Sequence, residues 1–183
     1  MKKILITAFD PFANDLTNSS LEVLKNLNRT VTKLELPTIY NEAFLKIKPH
    51  LNYDYIIMLG QAGNRMKLSL ERFAQNLDDS STSDNKNTIK INQQIITDKN
   101  LMYQTNIDID KLYTLINEKN IPVEISNYAG NFVCNNTYYL ILNEIYKNNL
   151  PLKALFIHIP YLKNLNLELI LDGINTIIDA LNM

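Results

Sequence analysis

Three short apolar runs, Lys3–Phe9, Tyr53–Leu59 and Ala154–Ile159, constrain this chain more than any other feature. Each is apolar nearly throughout, as a strand covered on both faces must be. Helix-spaced segments lie between and beyond them. Ser19 and Glu22 have the spacing of a capping box opening a helix with Leu21, Val23, Leu24 and Leu27 on its apolar side. Val31–Leu36 reads as a further strand stopped by Pro37, and Asn41–Lys48 as a modest helix ending near Pro49. Asp108–Glu118 reads as a helix capped by Asp108 or Asp110, and the last helix runs from about Asn166 to Leu181. Glu71–Leu77 reads as a weakly alternating strand, Asp78–Asn87 as an exposed polar loop, and Ile89–Thr97 as a strand or hairpin arm. Strands alternating with helices predict an α/β fold with a mainly parallel sheet covered on both faces. Ligands of such sheets sit beyond the carboxyl ends of the strands.

The 183 residues suit one domain, 1–183, with no linker and no internal repeat. A formal net charge of -1 gives no electrostatic support for nucleic acid as a partner. No segment approaches the roughly 20 apolar residues of a membrane span, and the apolar start is cut short by Asp10-Pro11, so it reads as a strand rather than a leader. A single cysteine permits no internal disulfide and fits a reducing, cytoplasmic setting. Two distant histidines and one cysteine lack the spacing of a metal site. Gly60-x-x-Gly63 is too short for a phosphate loop, so neither metal nor cofactor is expected.

The lone cysteine, Cys134, lies in Ser126-Asn127-Tyr128-Ala129-Gly130-Asn131-Phe132-Val133-Cys134-Asn135, between a predicted strand and a predicted helix. A free cysteine is most often a small buried hydrophobe. In the first turn of a helix, however, unpaired amides and the helix dipole favour its thiolate. His50 follows Pro49 at a polar helix end and reads as a surface residue. His158, at the end of an apolar strand, needs a partner to offset desolvation. A histidine near a thiol takes its proton and later returns it to a leaving amine. A third group should orient the imidazole, and Glu71, Asp78 and Asp79 are unranked candidates on the residues alone.

Seven segments, in order, resemble the pyroglutamyl peptidase family of cysteine peptidases. They are Thr7-Ala8-Phe9-Asp10-Pro11-Phe12, Asn18-Ser19-Ser20, Leu59-Gly60-Gln61-Ala62-Gly63-Asn64-Arg65, Glu71-Arg72-Phe73-Ala74-Gln75-Asn76, the acidic loop from Asp78 to Asn85, the cysteine segment above, and Phe156-Ile157-His158-Ile159-Pro160-Tyr161-Leu162. The resemblance implies a three-layer α/β/α sandwich around a mixed, mainly parallel sheet, of the phosphorylase/hydrolase-like kind. It implies Cys134 as nucleophile, His158 as base then acid, and Glu71 as the orienting group. It implies release of pyroglutamate (5-oxoproline) from the N-terminus of peptides, with no cofactor, by a homotetramer. Phe9, Phe12, Phe132 and Val133 match the family's ring pocket, and Asn18 and Gln61 match polar residues near it.

The chain also departs from the family pattern. Ala8, Ala13, Asn14 and Asn64 stand where glycine is usual, Ser81 replaces a loop arginine, Thr82 replaces an apolar pocket residue, and Tyr128 replaces a small residue. The loop changes leave open an alternative: a relative that holds a pyroglutamyl peptide without cleaving it. A dithiol redox role has no resolving cysteine to support it.

Overall fold

A computed structural model describes residues 2–13 and 15–183, so Met1 and the departure at Asn14 lie outside it. The elements in chain order are β1 (Ile4–Phe9), α1 (Ser19–Asn26), β2 (Thr32–Leu36), α2 (Glu42–Ile47), a 3-10 turn (Lys48–His50), β3 (Tyr55–Gln61), β4 (Leu68–Glu71), β5 (Phe73–Gln75), β6 (Asp78–Ser80), β7 (Lys90–Gln93), β8 (Met102–Gln104), α3 (Ile109–Asn117), β9 (Val123–Ser126), α4 (Val133–Asn148), β10 (Lys153–Ile159) and α5 (Leu167–Asn182). Six strands form the main sheet in the order β2-β1-β3-β10-β4-β9. The three apolar runs are its centre, β1, β3 and β10, paired in parallel. They are buried almost residue for residue.

Strand alternation sends neighbouring side chains to opposite layers. Ile57, Leu59, Leu155, Ile157 and Ile159 pack against α1, α3 and α5. Ile56, Met58, Ala154 and Phe156 pack against α2 and α4. The result is the expected three-layer α/β/α sandwich.

The sheet is mixed at one side. β4 runs antiparallel to β10, with Phe156 opposite Glu71 and His158 opposite Ser69, and β9 follows β4 in parallel. Glu71 therefore closes a strand rather than opening one. β9, moreover, runs against β3 and β10, so the chain does not pass from strand end straight into a helix. Residues 127–132 carry it to α4, turning at Gly130, whose φ of 77° lies in the left-handed region where side chains are strained.

Two local expectations are corrected. The N-cap of α1 is Asn18, whose Oδ1 accepts from the Ser20 backbone N–H at 3.0 Å and Oγ–H at 2.7 Å, and not Ser19. The polar stretch Asp78–Asn87 is not simply an exposed loop. It starts as β6, paired with β7, and Asp78 and Asp84 are both buried. Lys90 and Asn136 satisfy Asp78, while the backbone N–H groups of Tyr40, Lys86 and Thr88 satisfy Asp84. Turn-rich composition did not reveal that these carboxylates find internal donors. Asn85 also fastens this segment to the end of β1 by donating to Asp10 Oδ1 at 3.0 Å and Pro11 O at 2.9 Å. Ala13, where glycine is usual in the family, has a φ of 54°, a conformation that glycine adopts without strain.

Asn135 anchors the start of α4. Its side chain is fully buried, accepts from Gln75 N–H at 2.8 Å, and donates to the carbonyls of Gln75 and Leu77 at 2.9 Å each. Asn135→Ala strands these backbone groups and should cost about 3 kcal/mol. Urea unfolding should show a lower midpoint with an unchanged slope. An unshifted midpoint would contradict this anchoring.

Candidate active site

β10 carries His158 on the sheet face covered by α4, as Phe156 shows by packing there with its ring centroid 4.9 Å from the imidazole. The antiparallel register puts Glu71 opposite Phe156 on that same face, one diagonal step from His158. His158 Nδ1 and Glu71 Oε1 lie 2.8 Å apart. A carboxylate only accepts, so Nδ1–H donates and Nε2 is left as the basic nitrogen. Glu71 is wholly buried and His158 nearly so. Among the described residues Nε2 has no hydrogen-bond partner, and it is not one of their sealed, unpartnered polar atoms.

Among the three acids that sequence left unranked, only Glu71 meets the imidazole. Asp78 is held by Lys90 and Asn136, and Asp79 Oδ1 accepts from the Asn92 N–H. A buried carboxylate needs compensating charge. Arg65, from the segment after β3, supplies it at 3.2 Å from Glu71 Oε1. The same guanidinium reaches Glu124, Ser69, Ser126 and the carbonyl of Tyr128. Arg65 thus ties β4, β9 and the loop before α4 into one unit. Tyr138 of α4 adds a hydrogen bond to the Glu71 carbonyl at 3.1 Å. Oε2 of Glu71 is buried without a partner. In the sequence Arg65 is only one letter of a motif, because its partners lie on segments far apart along the chain.

Cys134 occupies the first turn of α4, whose N-cap, Phe132, makes no side-chain capping bond. The backbone N–H groups at this helix start therefore remain as donors. The sulfur rests over Gly60, which is the register neighbour of His158 in the β3–β10 pair. A Cβ at Gly60 would come within 2.8 Å of Sγ and 2.7 Å of the Phe156 ring. That glycine, unremarkable in the sequence, is what lets the sulfur settle onto the sheet beside the strand that carries the histidine. No hydrogen bond joins Sγ to the imidazole. Burial first, and the Glu71 charge second, push the thiol up to about 12, against the smaller opposing pull of the Cys134 N–H. Desolvation thus opposes the stabilisation that the amides at the helix start offer a thiolate.

The pocket residues implied by the family resemblance fall into separate groups. Phe12 and Phe132 pack with their rings tilted and centroids 5.7 Å apart, and Tyr40 meets Phe132 edge-on at 5.5 Å. Phe12 and Phe132, both half-buried, form an aromatic wall at the start of α4 with the buried Tyr40 behind it. Phe9 and Val133 are sealed into the core behind it. Asn18 and Gln61 lie on the α1 side of the sheet: Gln61 Oε1 accepts from the Ser19 N–H at 2.7 Å, and Gln61 Nε2 donates to Asp15 at 2.7 Å. Tyr128 is half exposed and enters the site through its backbone carbonyl. His50 packs edge-on against Tyr53, away from this site. Among the described residues no cluster of side chains is suited to hold a metal ion, and no helix is long and apolar enough to cross a membrane.

The raised thiol has a measurable consequence. At neutral pH the resting sulfur carries its proton, so iodoacetamide should label Cys134 slowly, with a rate still rising above pH 9. Intact-mass measurement across pH checks this; a rate that levels off near pH 7 would contradict it.

Residues 2–179 match the Pyroglutamyl peptidase family. Pyrrolidone-carboxylate peptidase 2 of Caldanaerobacter subterraneus subsp. tengcongensis is 44% identical over 169 residues, covering 87% of this chain and 82% of that protein. The pyrrolidone-carboxylate peptidase of Fusobacterium nucleatum is 37% identical over 199 residues, covering 99% and 93%. The crystal structure of pyroglutamyl peptidase I from Bacillus amyloliquefaciens superposes with a TM-score of 0.90 at 30% identity, covering 96% of this chain and 94% of that one. The pyrrolidone carboxyl peptidase of Fervidobacterium islandicum gives 0.92 at 29% identity, covering 100% and 99%. The chain belongs to the pyroglutamyl peptidase family.

Proposed function

We propose that this member of the pyroglutamyl peptidase family is a cysteine exopeptidase that releases pyroglutamate from the N-terminus of peptides, using Cys134, His158 and Glu71. The observation that carries the reading is the buried Glu71–His158 hydrogen bond on the sheet face where the Cys134 sulfur rests. His158 Nε2 takes the thiol proton as Sγ attacks the pyroglutamyl carbonyl, so thiolate forms only as it is consumed. First-turn N–H groups of α4, beginning with that of Cys134, receive the developing oxyanion. The imidazolium then protonates the departing amine, leaving a pyroglutamyl thioester on Cys134. A water that gives its proton to Nε2 attacks the thioester, pyroglutamate leaves, and the sulfur regains its proton.

Glu71 holds the tautomer and balances the imidazolium. Arg65 is a positioning residue that acts through Glu71. The pyroglutamyl ring is an uncharged lactam, suited to the aromatic wall of Phe12 and Phe132 with a few backbone hydrogen bonds. Residues 1–183 act as one domain. The unpaired thiol suits the reducing cytoplasm.

Hydrolysis of a fluorogenic pyroglutamyl amide tests the assignment. Wild type should turn over and Cys134→Ala should not. Glu71→Gln, which keeps the shape but loses the charge, should lower kcat by roughly 10²- to 10⁴-fold while the protein stays folded. A well-folded wild type without turnover, or a Cys134→Ala variant with undiminished activity, would overturn the reading.

By family resemblance the chain also assembles as a homotetramer. Sedimentation velocity should then show a single species near four times the chain mass, and a monomer at all concentrations would remove that part of the proposal.

A further inference from the structure

A separate cavity opens beyond the carboxyl ends of β1, β3 and β10, on the α1 side of the sheet. It encloses about 370 Å³, within the range of ligand pockets, and is lined by Asp15, Ser19, Glu22, Gln61, Tyr161 and Lys163, with Leu16, Thr17 and Leu162. Gln61 follows Gly60, over which the sulfur sits, and Tyr161 lies just beyond the β10 end that carries His158. The cavity therefore adjoins the strand ends of the candidate site, across β3 from the aromatic wall.

Its polar groups are built rather than incidental. Asp15 Oδ2 accepts from Gln61 Nε2 at 2.7 Å and from the Tyr161 hydroxyl at 3.0 Å. That hydrogen bond, followed by burial and the Asp15 charge, raises the Tyr161 hydroxyl above its ordinary pKa, so it remains a donor. None of the ion pairs among the described residues involves Asp15. Glu22, in contrast, is neutralised by Lys25 at 3.1 Å. The Lys163 ammonium sits over the Tyr161 ring, 5.3 Å from its centroid. Ser19, almost wholly buried, keeps an Oγ without any hydrogen-bond partner. An oriented carboxylate with no cation paired to it among the described residues suits a ligand that brings positive charge.

We propose that this cavity is the subsite for the leaving side of the substrate, taking the residue that follows the pyroglutamyl group and favouring a basic side chain there through Asp15. The inference rests on the peptidase reading. With the acyl ring against Phe12 and Phe132, the departing amine faces the end of β10, where the imidazole protonates it. The chain attached to that amine must leave over the strand ends, and the cavity beside Gln61 and Tyr161 is what it meets. A basic side chain there places its charge at Asp15 and its backbone near Ser19 and Gln61.

Three substrates test this: pyroglutamyl-lysine amide, pyroglutamyl-alanine amide and pyroglutamyl-glutamate amide, compared by kcat/KM. Lysine should exceed glutamate by about three- to tenfold, the scale of a partly exposed charge pair. Asp15→Asn should bring the lysine-to-glutamate ratio close to one, and Lys163→Ala, which removes the cavity's own cation, should raise it. If Asp15→Asn does not fold, the Lys163→Ala ratio decides alone. Equal rates for lysine and glutamate in wild type, or a ratio unmoved by the variants, overturn the subsite and leave the peptidase reading intact. Failure to cleave any of the three overturns the peptidase reading and the subsite with it.

Discussion

The hydrogen bond between Glu71 and His158 fixes the geometry of the whole site, and it exists because β4 turns against β10. Had β4 continued the parallel pattern of the sheet centre, the register pairing Phe156 with Glu71 and His158 with Ser69 would be lost. The antiparallel register holds the carboxylate beside the imidazole, buried away from water. Arg65 then provides the compensating charge and binds the loop that leads to α4. A buried glutamate is costly without such compensation. Its unpartnered Oε2 is a residual cost of the kind that folded proteins tolerate at functional sites.

The thiol is managed by a different balance. A helix N-terminus offers amides and dipole, but the partly buried Cys134 packs its sulfur over the bare Gly60 backbone, where desolvation opposes the thiolate. A sulfur that keeps its proton at rest is protected from chance oxidation, since reactivity follows thiolate character. It becomes a nucleophile only when a neighbouring base takes the proton. This makes the histidine's free nitrogen, rather than the helix end, the controlling group in the proposed chemistry.

Much of the fold was legible because burial on both faces leaves a direct trace in β1, β3 and β10. The strand before the cysteine segment was legible as β9, but the reversed direction of β4 and β9 left no trace: four-residue strands carry too little pattern to reveal it. The segment from Asp78 misled for a related reason, since a carboxylate that accepts from internal donors looks the same in sequence as one that faces water. Of the site, the residue types at Cys134, His158 and Glu71 stood out, but ranking Glu71 above Asp78 on the residues alone was impossible without the register. Gly60 and Arg65 were visible only as motif letters. Their parts depend on what crosses them in space: a sulfur in one case, a carboxylate on β4 and two further segments in the other. Gln61 and Asn18, grouped with the ring pocket by resemblance, lie on the α1 face, where they fix the start of α1 and the carboxylate of Asp15.

The central claim is that the Cys134 sulfur forms a bond to the substrate's acyl group under the control of His158. Rapid quenching of a pyroglutamyl substrate in acid, followed by peptide mapping, examines that bond directly. The account predicts a pyroglutamyl thioester confined to the peptide bearing Cys134, formed far more slowly in His158→Ala. Turnover with the adduct on another residue, or an adduct that forms equally fast without the imidazole, would contradict it.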